Sequence, residues 1–135
     1  MRPIPIGAKG SFSLLVAPQH LANQFKDERL PPVLATPVMI MMMENAALNA
    51  IRPYLEPAES AVGTMVNIRH VAATPIGHLA HAEAEVTKVA GRLIEFTVSA
   101  RDETEEIGNG THERMVVDVK RLGQRLAKKG KAEVA

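Results

Sequence analysis

The distribution of hydrophobic residues changes character in the middle of the chain. Residues 18–35 are rich in proline and contain a polar run, which predicts a long loop or lid with short helical turns. Thr36-Pro37 then predicts a helix start, with Thr36 as its cap and Pro37 at the first helical position. The fifteen residues VMIMMMENAALNAIR contain no Gly, Pro or Ser, and Pro53 predicts the end of the helix. Because its first half is apolar on nearly every side, we expect this helix to be buried on all sides.

From Ala61 onward the pattern is typical of strands. AVGTMVNIRHVAA is β-branched and roughly alternating, and LAHAEAEVTKV alternates strictly between alanines and polar residues. Short turns separate the second of these from RLIEFTVSAR and EEIGNGTHERMVVDVKRL. These last three strands predict an antiparallel meander, and SFSLLVA near the N-terminus predicts one earlier strand. The pattern therefore predicts an α+β domain in which a curved antiparallel sheet wraps around a long, buried helix.

Composition narrows the class of protein further. The 135 residues, 46% hydrophobic and 23% charged, predict a single domain over 1–135, with an irregular lead-in at 1–10 and a frayed, basic tail at 123–135. A net charge of +1 and 3% aromatic residues argue against nucleic-acid binding. No apolar run reaches the roughly 18 residues of a membrane span, and the first residues do not resemble an export signal. The absence of cysteine excludes a thiol nucleophile and fits a reducing compartment, so we expect a cytoplasmic protein.

The residue that most strongly indicates chemistry is Glu44. It lies in the apolar run MIMMMENAAL with no basic residue within one helical turn. A buried carboxylate must be hydrogen-bonded, open to a pocket, or protonated through a raised pKa, because burial of an unpaired charge is costly. A carboxylate in an apolar pocket is typical of a general base or nucleophile. The structural alternative is a narrow polar stripe that Glu44 shares with Asn45 and Asn49.

Two further residues could act with Glu44. His70 shares a strand face with Val66 and Ile68, and a Glu–His pair would provide acid–base catalysis, although a lone histidine in such surroundings can also be a core residue. Thr36 is explained by helix capping, yet a hydroxyl at a helix N-terminus also lies where developing negative charge is stabilised. Eight residues of helix separate Thr36 from Glu44 by roughly 12 Å. A site that uses both therefore combines two subunits, or its substrate spans the gap.

Glycines interrupt two of the predicted strands. Gly63 in AVGTMV indicates a bulge or a close backbone approach, and a free amide there could bind a thioester oxygen. The segment GNGTHER places His112 and Arg114 on one face, where arginine suits phosphate or carboxylate recognition. The structural alternative is an ordinary bulge followed by exposed charges. The chain has no G-x-S-x-G, phosphate-loop or HExxH motif, and His78 and His81 lie on opposite faces of a strand.

These motifs together resemble a known family. The segment LATPVMIMMMENAALNAIRPYLEPAESAVGTMVNIRHVAATPIG, followed by EIGNGTHERMVV, is similar to the fluoroacetyl-CoA thioesterase type of hotdog protein. The resemblance extends from about Ser11 to Leu122. It implies the hotdog fold, a dimer with active sites at the subunit interface, and thioester hydrolysis without metal or organic cofactor.

The resemblance also implies roles for individual residues. The catalytic Thr, Glu and His of the family fall on Thr36, Glu44 and His70. Its substrate-contacting Gly and Arg fall on Gly63 and Arg114.

The chain departs from the family at the lid. Where the fluoroacetyl-specific enzyme has an aromatic lid residue before the helix, this chain has Leu30 in ERLPPV. We therefore do not assign the fluoroacetyl substrate, and the methionine-rich helix indicates a pocket shaped for a different acyl group.

The function predicted from the sequence is hydrolysis of a short or medium acyl-CoA by a cytoplasmic homodimer or larger assembly. Either Thr36 or Glu44 could be the nucleophile. Two alternatives remain on the same fold, a non-catalytic protein that binds acyl-CoA or another small ligand, and a hydratase or dehydratase.

Overall fold

The computed structural model describes residues 1–130, which form an antiparallel sheet and three helices. The strands are β1 (Lys9–Leu15), β2 (Glu59–His70), β3 (Leu79–Ala90), β4 (Leu93–Arg101) and β5 (Glu106–Asp118). The helices are α1 (Ala22–Phe25), α2 (Thr36–Ile51) and α3 (Val119–Gly130), with short 3₁₀ turns at Pro18–His20 and Arg52–Tyr54.

The five strands are arranged in the order β1-β3-β4-β5-β2, and every neighbouring pair is antiparallel. The predicted meander is β3-β4-β5, joined by short turns. The strands β1 and β2 form the two edges, and the long helix α2 precedes β2 and packs against the sheet. This architecture confirms the predicted α+β class and the hotdog arrangement of a sheet around a long helix.

Small residues allow α2 to approach the sheet closely. The alternation predicted for β3 is confirmed, because Ala80, Ala82 and Ala84 are buried while Glu83 is exposed. On β1, a Cβ atom at Gly10 would lie 2.3 Å from the carbonyl oxygen of Ala46 and from the backbone nitrogen of Ala50, so only glycine fits there. The larger core side chains fill the rest, and full burial of a Met or Ile contributes about 1.5–3 kcal/mol each. The largest are Phe96, Leu34, Met39, Met42, Met43, Ile51, Ile94 and Ile107.

The burial of α2 differs from the prediction. Met39, Met42 and Met43 are buried, but the face that carries Ile40, Met41 and Glu44 is only half-buried. The prediction that α2 is buried on all sides is therefore wrong for a single chain, because the sheet covers only part of the circumference of the helix.

The start of α2 also differs from the prediction. Thr36 is not the cap, because Ala35 occupies the N-cap position without a side-chain hydrogen bond, and Thr36 is the first helical residue. Pro37 is accordingly the second. The prediction failed because Thr-Pro satisfies the preferences of two adjacent registers, and the hydroxyl has a different partner, described below.

The two ends of the chain are more regular than predicted. Strand β1 begins at Lys9, within the expected lead-in, and the last strand ends at Asp118 instead of continuing to Leu122. The Asp118 carboxylate accepts a hydrogen bond from the Arg121 amide at 2.9 Å and starts α3, so the predicted tail is helical as far as Gly130. The rest of that tail, residues 131–135, lies outside the described residues. Over residues 1–130, no helix has the length and apolar character needed to cross a bilayer.

Candidate active site

Thr36 and His70 form a direct hydrogen bond, and we call them the hydroxyl–imidazole pair. The distance from Thr36 Oγ1 to His70 Nδ1 is 2.8 Å. The first turn of α2 supplies the hydroxyl, and the end of β2 supplies the imidazole. Because Thr36 does not cap its own helix, its hydroxyl is available to this partner. The structure thus brings two of the predicted site residues into contact with each other.

The imidazole of His70 is set up to act as a base. Burial lowers the pKa of His70, and the backbone of Ala72 opposes this shift to a smaller extent. The ring is therefore neutral near pH 7 and can accept a proton. Its Nε2 atom is buried and has no hydrogen-bond partner among residues 1–130 of the chain. A buried imidazole nitrogen without a partner is unusual in a structural histidine.

Glu44, Gly63, His112 and Arg114 form a second group, which we call the carboxylate–guanidinium cluster. Arg114 Nη1 lies 3.6 Å from Glu44 Oε2, and Arg114 Nη2 donates to the Ala61 carbonyl at 2.7 Å. The Arg114 side chain is 9% exposed and that of Glu44 is 38% exposed. The structure therefore gives Glu44 a cationic partner from β5 and an opening to solvent, two features that a search within one helical turn could not find.

Gly63 allows the backbone of β2 to approach this cluster. The pairing of β2 with β5 shifts register between Gly63 and Met65, which confirms the bulge expected from the glycine. A Cβ atom at Gly63 would lie 2.8 Å from Glu44 Oε2 and 3.6 Å from Arg114 Nη1. Glycine at this position thus leaves room for the Glu44 carboxylate to lie against the strand.

His112 belongs to the cluster although it was not predicted as a site residue. It is 1% exposed and Arg114 is 8% exposed, so the alternative of exposed charges in GNGTHER does not hold for these two residues. Its Nε2 lies 3.3 Å from Arg114 Nη1. The signal available in the sequence was their spacing of two residues on one strand, which places both on the inner face.

The two groups lie apart within one chain. Thr36 and Glu44 are separated by roughly 12 Å of helix. Gly63 and His70 are separated by roughly 20 Å of strand. The predicted lid residue Leu30 belongs to neither group; it lies in the loop between α1 and α2 and is 40% exposed. Backbone hydrogen bonds join the end of this loop to the loop after β2, including Leu34 N to the Thr74 carbonyl at 2.8 Å.

These residue types are capable of acid–base and nucleophilic chemistry. The structure offers a hydroxyl hydrogen-bonded to a neutral imidazole, a carboxylate, a guanidinium and a strand bulge. Within residues 1–130, no group of three or more His, Asp or Glu side chains is arranged to hold a metal ion.

Replacement of Gly63 by alanine should separate activity from stability. The new methyl group meets the far end of the flexible Glu44 side chain, which can move without disturbing the backbone. We expect Gly63→Ala to lower the activity of the site by about 10- to 100-fold, because the methyl group displaces the Glu44 carboxylate and occupies the space beside the Gly63 amide. The melting temperature, measured by circular dichroism, should stay within a few degrees of the wild-type value.

Gly110→Ala provides the matched control for this prediction. A Cβ atom at Gly110 would lie 2.0 Å from the backbone carbonyl oxygen of Asn67, which cannot move independently of β2. This variant should lose thermal stability. Equal losses of stability in Gly63→Ala and Gly110→Ala would contradict the account of Gly63.

Comparison with known proteins identifies first the class and then the family. The structure superposes on a thioesterase superfamily member from Thermus thermophilus with a TM-score of 0.87, at 32% identity, over 98% of this chain and 100% of that one. The fold is thus that of thioesterase superfamily hotdog proteins. Residues 16–120 match the model of the fluoroacetyl-CoA-specific thioesterase family.

Individual relatives agree with that match. The fluoroacetyl-CoA thioesterase of Streptantibioticus cattleyicolor is 36% identical over 129 residues, which cover 92% of this chain and 93% of that protein. A solved fluoroacetyl-CoA thioesterase superposes with a TM-score of 0.87, at 34% identity, over 97% of this chain and 99% of that one. The chain belongs to the fluoroacetyl-CoA-specific thioesterase family.

Proposed function

We propose that this protein hydrolyses the thioester of a short or medium acyl-CoA. The observation that carries the proposal is the 2.8 Å hydrogen bond between the Thr36 hydroxyl and the imidazole of His70, whose other nitrogen is buried and has no partner among residues 1–130. A hydroxyl and a base within hydrogen-bond distance are the minimum arrangement for acyl transfer. Membership of a family named for a thioesterase agrees with this chemistry.

The proposed enzyme is a homodimer whose sites combine two chains. Strand β2 forms one edge of the sheet and is twelve residues long, and Val62 and Val66 on it are 39% and 44% exposed. An edge of this length and character is prone to pair with another strand. Antiparallel pairing of two β2 strands about an axis between Val66 and Asn67 would place Gly63 of one chain opposite His70 of the other.

Such a dimer would unite the two groups that one chain keeps apart. The hydroxyl–imidazole pair of one subunit would face the carboxylate–guanidinium cluster of the next. The buried Nε2 of His70 would then lie near the partner subunit's Glu44. Two grooves in the single chain, of about 480 and 760 Å³, are lined by neither Thr36, Glu44 nor His70, which agrees with a site that needs a second subunit.

The proposed reaction gives each member of the site a role. The Gly63 amide would polarise the thioester carbonyl and stabilise the oxyanion. In the direct route, His70 takes a proton from water as the water oxygen attacks the carbonyl carbon, the C–S bond breaks, and His70 passes that proton to the departing CoA sulfur. In a two-step route, the oxygen of Thr36 or Glu44 attacks first and the C–S bond breaks to leave an acyl-enzyme; CoA departs with the proton that His70 took from Thr36, or as the thiolate when the Glu44 carboxylate attacks. Water deprotonated by His70 then cleaves the acyl-enzyme to release the acid, and the His70 proton returns to the Thr36 oxygen or, in the Glu44 route, to the CoA thiolate. The Arg114 guanidinium would hold an anionic part of CoA or fix the strand bulge.

The acyl group is proposed to differ from fluoroacetyl. Leu30 gives the lid a smaller and more flexible side chain than an aromatic residue. The four methionines between Met39 and Met43 provide side chains that adapt to irregular shapes. We also propose a cytoplasmic location, which fits the lack of cysteine in the sequence.

A panel of acyl-CoA substrates tests the proposed function. Release of free thiol, followed by a colorimetric reagent, should be observed with acetyl- to octanoyl-CoA, and fluoroacetyl-CoA should not be preferred over acetyl-CoA. His70→Ala should remove the activity, because His70 is the base that takes up the proton of the attacking water or hydroxyl. Binding of CoA esters without thiol release would instead identify a ligand-binding protein. Addition of water across an enoyl-CoA double bond would identify a hydratase.

A further inference from the structure

Through opposite edges of its ring, His112 contacts the backbone of β2 at Met65 and the guanidinium of Arg114. Its Nδ1 lies 2.7 Å from the carbonyl oxygen of Met65, and its Nε2 lies 3.3 Å from Arg114 Nη1. A carbonyl only accepts and a guanidinium only donates, so Nδ1 must carry the proton and Nε2 must be the acceptor. The two contacts therefore specify a single form of the ring, the neutral Nδ1–H tautomer.

The surroundings of the ring favour this neutral form. Burial lowers the pKa of His112, and the charge of Arg114 lowers it further, while the Met65 carbonyl, Glu44 and Glu113 oppose the shift. Phe96 stacks on the imidazole at a centroid distance of 6.0 Å and an interplanar angle of 26°, which fixes the plane of the ring. Protonation would place a second cation against Arg114 and remove its acceptor.

Each contact leads to a different part of the proposed site. The Met65 carbonyl lies on the strand bulge that begins at Gly63, so the Nδ1–H bond fixes the bulge. The Nε2 atom and the Ala61 carbonyl hold Arg114 from two directions without neutralising it. The positive charge therefore stays available for the Glu44 carboxylate or an anionic part of the substrate.

We infer that His112 is a positioning residue, which as the neutral Nδ1–H tautomer sets both the Gly63 bulge and the Arg114 guanidinium without touching the reacting atoms. This inference rests on the proposed thioester hydrolysis. Beyond that function, it assigns two separable tasks to the His112 side chain. One is orientation of the backbone that binds the thioester carbonyl, and the other is orientation of the Arg114 guanidinium.

Two amide substitutions separate these tasks. In His112→Asn the side-chain amide nitrogen takes the approximate position of Nδ1, so the bond to Met65 is kept and the acceptor for Arg114 is lost. In His112→Gln the side-chain oxygen takes the approximate position of Nε2, so the acceptor for Arg114 is kept and the bond to Met65 is lost. Both variants remove the ring and its stacking on Phe96, so each controls for the loss of packing in the other.

Steady-state thiol release should distinguish the two variants. We expect His112→Asn to raise KM for the best acyl-CoA by about tenfold with kcat within about threefold of wild type, because Arg114 is freed. We expect His112→Gln to lower kcat by about tenfold with KM nearly unchanged, because the bulge relaxes and the Gly63 amide moves. Equal effects of both variants on the same parameter, or no effect of either, would overturn the inference.

A spectroscopic measurement tests the same inference without activity. In wild-type protein with ¹⁵N-labelled histidine at pH 7, the His112 ring should show a protonated Nδ1 and an unprotonated Nε2. Detection of the Nε2–H tautomer or of imidazolium would overturn the inference even if both variants are too unstable to assay. If wild type releases thiol from no acyl-CoA, the proposed function fails, and the ring spectrum still decides whether His112 holds this geometry.

Discussion

Glu44→Gln should lower kcat for thiol release by about 10²- to 10⁴-fold while the protein stays folded. Glutamine keeps the size of the side chain but can neither accept a proton at the operating pH nor attack a thioester. The effect on stability should be small, because the Glu44 side chain is 38% exposed and its contact with Arg114 is 3.6 Å long. Arg114 also keeps its hydrogen bond to the Ala61 carbonyl.

The control for this prediction is Glu113→Gln. Glu113 precedes Arg114 on β5 and is half-buried, but it points to the opposite face of the strand. Its replacement removes the same charge from a residue adjacent to Arg114 in the chain. Thiol release should therefore stay within about twofold of wild type. Comparable losses in the two variants would mean that only the local charge matters, and would contradict a catalytic role for Glu44.

Much of the fold could be predicted from periodicity because its elements are long and uninterrupted. The alternation over residues 79–86 has one structural solution, a strand with its alanines against a helix. The run from Val38 to Arg52 lacks residues that break a helix, and Pro53 follows it. The order of strands in the sheet could not be predicted in this way, because the local pattern does not indicate that β2 pairs with β5 at the edge opposite β1.

The errors at helix ends have a common physical cause. At Thr36-Pro37 the sequence fits two registers that differ by one residue, and the hydrogen bond to His70 is formed in the register in which Thr36 is helical. At Asp118 the apolar residues of MVVDVKRL continue the strand pattern, although the aspartate is a good N-cap. The boundary at Thr36 depends on a partner elsewhere in the chain, and the boundary at Asp118 depends on a capping side chain instead of the apolar pattern around it.

The sequence indicated most residues of the candidate site, but not the contacts between them. A carboxylate in an apolar helix and a glycine in a strand are unusual wherever the fold places them. Their partners Arg114 and His112 lie some fifty residues from Gly63, and only the pairing of β2 with β5 brings them together. The burial of His112 depends on that pairing and on the stacking with Phe96 from β4. A linear pattern contains neither contact.

Mixed dimers of two inactive variants should regain activity if each site uses two chains. Glu44→Gln and His70→Ala chains, coexpressed with different tags, pair at random, so about half of the dimers are mixed. In a mixed dimer one site carries both substitutions and the other carries neither. Activity should therefore return to about a quarter of wild type. A site built within one chain would leave one defect in every site, and no activity would return.

Thr36 supplies the matched combinations. Thr36 and His70 are hydrogen-bonded within one chain, so Thr36→Ala mixed with His70→Ala should stay inactive, since every site keeps one defect. Thr36→Ala mixed with Glu44→Gln should regain the same quarter as the first combination. Recovery in the two mixtures that contain Glu44→Gln, and not in the third, would assign Glu44 to the opposite subunit from the other two. If tag purification yields mixed dimers that are inactive in all three combinations, the two-chain site is wrong, while the thiol-release measurements on wild type still decide the thioesterase activity.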